Sequence, residues 1–332
     1  MSRRPTIYDV ARKAGVSIST VSRVVNSPSR VRPSTREKVR AAIAELGFEP
    51  AADAAARARK HLRRVGVLTP FFTEASFVQR IRGVSDVLGP ENFEVIIYTV
   101  KSETHLEEYL ELLSMGGRVD ALVSLSLMME GPLLERLIDL RVPVVSVESA
   151  LPGCSSVLID NREGGRLAAS YLLSKGYRRF SFIGEFSRQR FTLDATEQRL
   201  EGFLSRLEEE GIPRTSVRVA MCEFEEHTIQ DQVEEFVAHH AVGEAVFASS
   251  DIVAARLLSA ARNRGIGVPG ELAILGFDDL DMAGYLGLST ISQALDQSGM
   301  IAARILLSHL ENSELPAQKV FLELSVVERS TT

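Results

Sequence analysis

Near the start of the chain, hydroxyl and guanidinium groups line one side of a short stretch, TIYDVARKAGVSISTVSRVVN, running from Thr6 to Asn26. Ile18, Ser19, Ser22 and Arg23 fall on one side of a helical wheel, with Val21, Val24 and Val25 on the other. Side chains of these types reach base edges and phosphates when such a helix lies in a major groove. Ile18, Ser19 and Arg23 are expected to read bases. Thr6, Tyr8, Ser17, Thr20, Asn26 and Thr35 are expected to hold the DNA backbone, where contacts fix register but carry no sequence information.

A second set of capable residues follows short apolar runs further along. Phe71 and Phe72 follow VGVLTP, Glu148 follows PVVSV, Ser250 and Asp251 follow AVFAS, and Asp278 follows LAILGF. Arg199 opens the helical run RLEGFLSRL after a polar loop. Small ligands of α/β sheets bind outside the C-terminal ends of strands. A carboxylate and a guanidinium facing one cleft suit a ligand rich in hydroxyls, since each makes charge-assisted hydrogen bonds. Phe72 or Phe224 offers a face for stacking on a sugar ring or a base. Asp160 and Asp251 precede or begin helices, and capping accounts for them equally well. Phe71 reads as core.

Enzyme chemistry finds little support. The sequence has no G-x-x-x-x-G-K-[ST], G-x-S-x-G or H-E-x-x-H. Its six histidines form no ligand-like pair, and His239–His240 sit where a helix C-terminus favours them. No metal or other cofactor is expected. Cys154 and Cys222 are far apart, outside any C-x-x-C spacing, as expected of thiols in a reducing compartment. No run of about 20 apolar residues occurs, so no membrane span and a cytoplasmic location are expected.

The elements that position these groups begin with three short helices. Ile7, Val10, Ala11 and Ala14 recur at helical spacing, Thr6 stands as an N-cap, and Gly15 permits a tight turn. Ser17 caps the second helix. Pro33 starts a third, whose stripe is Val39, Ala42, Ile43 and Leu46. Two helices joined by a glycine turn form a helix-turn-helix, and the third can close a small shared core. The charge distribution agrees. Residues 1–64 carry a net charge of +10 and the remainder −16, within a 332-residue chain of net −6. A basic module on an acidic body suggests a polyanion as partner.

The run DVARKAGVSISTVSRVVN, with Val31, TREKVRAAIAELGF and Pro50, closely resembles the LacI/GalR family of bacterial transcription regulators. The resemblance implies a helix-turn-helix headpiece over residues 1–49 and a hinge helix or linker over 50–64. An effector and dimerisation body over 65–332 follows, of the periplasmic-binding-protein-like type I fold. It implies a sequence-specific repressor that binds a palindromic double-stranded operator as a homodimer and answers to a small effector, most often a sugar. A purine or nucleobase effector, with Phe224 stacking, is the alternative within the family. An architectural DNA-binding protein whose body only dimerises is the alternative outside it. By the same resemblance, Arg199 corresponds to the arginine of an R-x-x-G-F effector segment and Asp278 to the aspartate of G-F/Y-D. Ser250 replaces the usual asparagine before Asp251, Glu148 stands where an aspartate often contacts effector, and Phe224 matches a stacking aromatic. Arg57 stands where the family has a leucine wedge; an arginine does not part base steps as an apolar wedge does but suits a narrow minor groove.

Behind the headpiece, apolar β-branched runs alternate with helical stretches at 77–88, 104–114, 131–140, 163–175, 197–210, 228–239 and 251–264. This texture predicts parallel sheets covered by helices on both faces. The number of units predicts two layers. The resemblance implies two subdomains, about 65–160 with 291–319 and about 161–290 with 320–332, and three crossings near Asp160, Thr290 and Val320.

Overall fold

The computed structural model describes residues 7–26, 31–46, 63–115, 118–187, 189–223 and 226–332. It divides into two compact units, Met1–Arg63 and Arg64–Thr332. In the first, α1 (Ile7–Ala14), α2 (Ile18–Asn26) and α3 (Pro33–Leu46) share one core. Val10, Ala11, Val21, Val24, Val39 and Ala42 are buried together, with Ile7, Val16, Val31 and Leu46 packed around them. Gly15 turns the chain at φ +66°, a left-handed conformation that glycine adopts without steric cost. The Ser17 hydroxyl then accepts a hydrogen bond from the Thr20 amide at 3.2 Å and caps α2.

The second unit contains two six-stranded sheets. The first half supplies β1 (Arg63–Thr69), α4 (Ala75–Leu88), β2 (Phe93–Thr99), α5 (Glu103–Ser114), β3 (Ala121–Leu125), α6 (Gly131–Asp139), β4 (Val144–Val147) and β5 (Ser155–Leu158). The second supplies α7 (Asn161–Ser174), β6 (Arg179–Phe186), α8 (Ala195–Glu209), β7 (Arg218–Glu223), α9 (Glu226–Ala238), β8 (Glu244–Ala248), α10 (Asp251–Asn263), β9 (Leu272–Asp278), α11 (Asp281–Leu286) and β10 (Ser289–Ser292). The chain then returns through α12 (Leu295–Glu311) and β11 (Lys319–Phe321) before ending at β12 (Ser325–Val327). Strand order is β11-β5-β4-β3-β1-β2 in one sheet and β12-β10-β9-β8-β6-β7 in the other. The β1–β3, β3–β4, β4–β5 and β5–β11 pairs are parallel, as are β9–β10, β8–β9, β6–β8 and β6–β7; β12 runs antiparallel to β10. The chain passes between the sheets after β5, after β10 and after β11. The last passage falls at 322–324 rather than near Val320, because Val320 and Phe321 still pair with β5.

Parallel strands buried on both faces are mostly apolar, and β3, β8 and β9 are buried at every position, with Ser124, Glu244 and Asp278 as their polar members. Helices α4 and α12 cross closely on the first sheet. A Cβ on Gly83 would lie 2.1 Å from the Asp296 carbonyl, and one on Gly299 2.0 Å from the Arg80 carbonyl. That contact seats α4 beside the second passage between the sheets.

Candidate functional site

On the headpiece, Val21 and Val24 face the core while Ile18 remains 42% exposed and Ser19 and Arg23 project outward. Tyr8 is 62% exposed; Thr20, Ser22 and Thr35 are half-buried. The Ser17 hydroxyl lies 2.8 Å from those of both Ser19 and Thr20, so three hydroxyls gather at the N-terminus of α2. A helix N-terminus attracts anions, and hydroxyls there add partners for phosphate oxygens. Thr6, Arg57 and Phe224 lie outside the described residues, as does the side chain of Asn26.

In the body, polar side chains converge at the C-terminal ends of strands from both sheets. Glu148 follows β4 and pairs with the buried guanidinium of Arg80 on α4, while the Ser126 hydroxyl beyond β3 donates to its other oxygen. Arg80 also donates to the Gln293 side chain at 2.9 Å. The Gln293 amide in turn donates to Asp278, whose carboxylate lies 4.0 Å from Arg199. Arg199 donates to the Asn161 side chain at 2.9 Å and to the Ser249 carbonyl at 2.7 Å, and its guanidinium lies 3.6 Å above the Phe277 ring. One chain of contacts therefore runs from Ser126 through Arg80 and Gln293 to Arg199, joining the two halves.

Burial dominates its electrostatics. It pushes the Asp278 carboxyl up, against the pull of Arg199 and Arg80, and it lowers the Arg199 guanidinium, against the charge of Asp278. Ser126, Glu148 and Asp278 have φ of +53°, +69° and +122°. Non-glycine residues so placed cost on the order of 1–3 kcal/mol each and persist where surrounding contacts hold them. Each group in this chain can exchange a protein partner for a ligand hydroxyl.

The expected site residues separate accordingly. Glu148, Arg199 and Asp278 all belong to this chain of contacts, Glu148 joining the other two through Arg80 and Gln293, and Phe72 lies exposed beyond β1. Phe71 instead packs edge-on against Phe77, 5.8 Å between ring centres. Asp160 caps α7 through the Glu163 amide. Ser250 and Asp251 make contacts of their own within the body. The Ser250 hydroxyl caps α10 by accepting from the Val253 amide at 3.3 Å. Asp251 is fully buried, and its oxygens accept from the Leu280 amide at 2.8 Å and the Thr290 hydroxyl at 2.6 Å. Burial raises its pKa, with the charge of Asp278 adding to the shift. Arg80, Ser126, Asn161 and Gln293 were not expected. Arg80 alone left a signal: it occupies the buried face of α4, between Phe77 and Val84 at spacings of three and four.

Among the described residues, no group of His, Cys, Asp and Glu could hold a metal ion, and no helix is long and apolar enough to cross a membrane. Residues 6–51 match bacterial regulatory proteins of the lacI family, and residues 169–332 match a periplasmic binding protein-like domain. The ribose operon repressor of Bacillus subtilis (strain 168) is 31% identical over 330 residues, spanning 98% of each chain. The chain belongs to the LacI family. Among solved structures of similar proteins, the transcriptional regulator CelR–cellobiose complex is 29% identical with a TM-score of 0.68, covering 99% of this chain and 100% of the other. The lac repressor dimer bound to operator and the anti-inducer ONPF is 25% identical with a TM-score of 0.70, covering 99% of each. As a LacI-family member the protein is a DNA-binding transcription regulator and not an enzyme.

Proposed function

We propose that this LacI-family regulator is a repressor whose operator affinity is set by a sugar bound between the two sheets. The observation that carries this reading is the buried chain Glu148–Arg80–Gln293–Asp278–Arg199, which joins both halves at the ends of their strands. A hydroxyl-rich ligand exchanges hydrogen bonds with these groups at little further desolvation cost to the protein, because the charged partners are already out of water. It also touches both halves at once, so its affinity differs between their relative orientations. Differential affinity of that kind is what shifts a DNA-binding equilibrium. Two copies of the chain, each presenting Ile18, Ser19 and Arg23 to a major groove, read the inverted half-sites of a palindromic operator.

The test is a thermal-shift screen of the full chain against a panel of pentoses, hexoses and disaccharides. A ligand at 100 times its Kd should stabilise the body by about 2.7 kcal/mol. Absence of any stabilising sugar, with sequence-specific DNA binding intact, would overturn the reading.

A further inference from the structure

The loop between β6 and α8 leaves its own half of the body. The Met128 amide donates to the Phe191 carbonyl at 2.8 Å, and the Leu193 amide donates to the Ser126 carbonyl at 3.0 Å. These two bonds pair Leu127 of the first half with Thr192 of the second as an antiparallel bridge. Phe191 is 7% exposed and sits within the first half's hydrophobic cluster, beside Leu68, Val100, Leu106, Leu122 and Leu127. An aromatic side chain from one half thus completes the core of the other.

We infer that residues Gln189–Leu193 form a clasp that fastens the two halves of the body across the cleft, with Phe191 as its anchor. Its geometry ties it to the site at both ends. Ser126 accepts from the clasp through its carbonyl and donates to Glu148 through its hydroxyl. Immediately after the clasp, Asp194 caps α8 by accepting from the Glu197 amide at 3.0 Å, and Arg199 lies on that helix. Thr192 closes a turn inside the clasp, its amide and hydroxyl both donating to the Gln189 carbonyl at 3.1 and 2.9 Å.

The position of the clasp gives it a function. All three passages of the chain between the halves adjoin β5, β10, β11 and β12, at one end of the two sheets. The clasp joins the sheets further along, beyond β3 and β6. Beside it lies a cavity of about 520 Å³ with Met128 and Glu130 on one wall and Arg190 and Gln198 on the other. Those walls part when the clasp opens. Phe191 is therefore a positioning residue: it holds Ser126 and the start of α8 in register. This role rests on the cleft being the effector site, but the clasp itself can be measured without any ligand.

The experiment is amide hydrogen exchange on the full chain, without sugar or DNA, resolved to the amides of Met128 and Leu193. Both are expected to be protected in the unmodified protein. In Phe191→Ala their exchange should accelerate at least tenfold, while amides inside β3 and β6 keep their rates. Phe191→Leu, which keeps an apolar anchor, should retain most of the protection. Equal exchange of Met128 and Leu193 in the unmodified protein and in Phe191→Ala would overturn the clasp, as would open-loop exchange rates in the unmodified protein. No sugar enters this measurement, so a failed sugar screen leaves the clasp standing and failure here leaves the effector reading standing.

Discussion

The headpiece and the cleft handle polar groups in opposite ways. On the headpiece, among the described residues, a small core of Val and Ala side chains ringed by Ile7, Val16, Val31 and Leu46 is enough, because Ile18, Ser19 and Arg23 need only be presented to solvent on a fixed helix. In the body, Arg80, Arg199 and Asp278 are almost wholly buried; Gln293 bridges Arg80 to Asp278, and Asp278 lies 4.0 Å from Arg199. The difference teaches where rigidity comes from. A surface that meets a polyanion is hydrated until binding, and phosphate contacts supply the affinity. A site that must discriminate between small neutral ligands needs its donors and acceptors fixed beforehand, and burial with mutual hydrogen bonding fixes them.

Breaking the buried side should have the largest effect. Arg199→Ala removes the guanidinium beside Asp278 and the support of the Asn161 and Ser249 contacts. Leaving one member of a buried pair uncompensated costs about 3–5 kcal/mol. Denaturant unfolding of the body should register that loss. A loss below about 1 kcal/mol would mean the network is more solvated than its burial implies.

The exposed side should respond in binding and not in stability. Arg23→Ala is expected to weaken operator binding by about 1–3 kcal/mol and to leave body stability and sugar affinity unchanged. Loss of both functions would defeat the separation of the two regions.

A pH series sharpens the comparison further. Glu185 lies just before β6 ends at Phe186, and burial raises its carboxyl to about 7, with Arg256 opposing and the charge of Glu74 adding. The folded state therefore binds this proton more tightly than the unfolded chain. Its contribution makes stability fall as pH rises from about 4.5 to about 7 and then level off. Glu185→Gln should remove that share, raising stability at pH 8 by on the order of 1 kcal/mol and leaving it unchanged at pH 4. An identical pH profile for the variant would show Glu185 to be solvated.

The smallest effect is expected at Arg82. It bridges Asp281 at 2.8 Å and Asp296 at 2.9 Å but stays 45% exposed. Exposed ion pairs contribute about 0–1 kcal/mol, so Arg82→Ala should shift the unfolding midpoint slightly and lose even that in high salt.

How much of this was legible in the sequence depended on the range of the interactions. The headpiece was, because its helices rest on spacings of three and four residues and its turn on Gly15. The alternation of β-branched runs with helices gave the two-layered body for the same reason. The local contexts RLEGF and GFDD singled out Arg199 and Asp278, which the fold brings to 4.0 Å of each other. The partners that bind them were not legible. Arg80 meets Gln293 across 213 positions of chain, and no local pattern encodes that pairing. The partners of Asp251 were not legible either, because a carboxylate at the start of a helix usually caps it or faces solvent. Here the left-handed backbone at Asp278 and Asp279 turns the chain so that the Leu280 amide points back at Asp251. The clasp was invisible because the loop 185–196 is polar in composition, and only the fold carries Phe191 into the opposite core.

The central claim, that a sugar in the cleft controls a separate DNA-reading helix, is tested most directly by anisotropy titration of a labelled palindromic operator. The titration compares the unmodified chain with Asp278→Ala, each with and without a sugar that stabilises the unmodified protein. The sugar should shift operator affinity of the unmodified chain, whereas Asp278→Ala should bind the operator as tightly as the unmodified chain does without sugar and ignore the ligand. An Asp278→Ala variant that still responds at the same sugar concentration would contradict the claim.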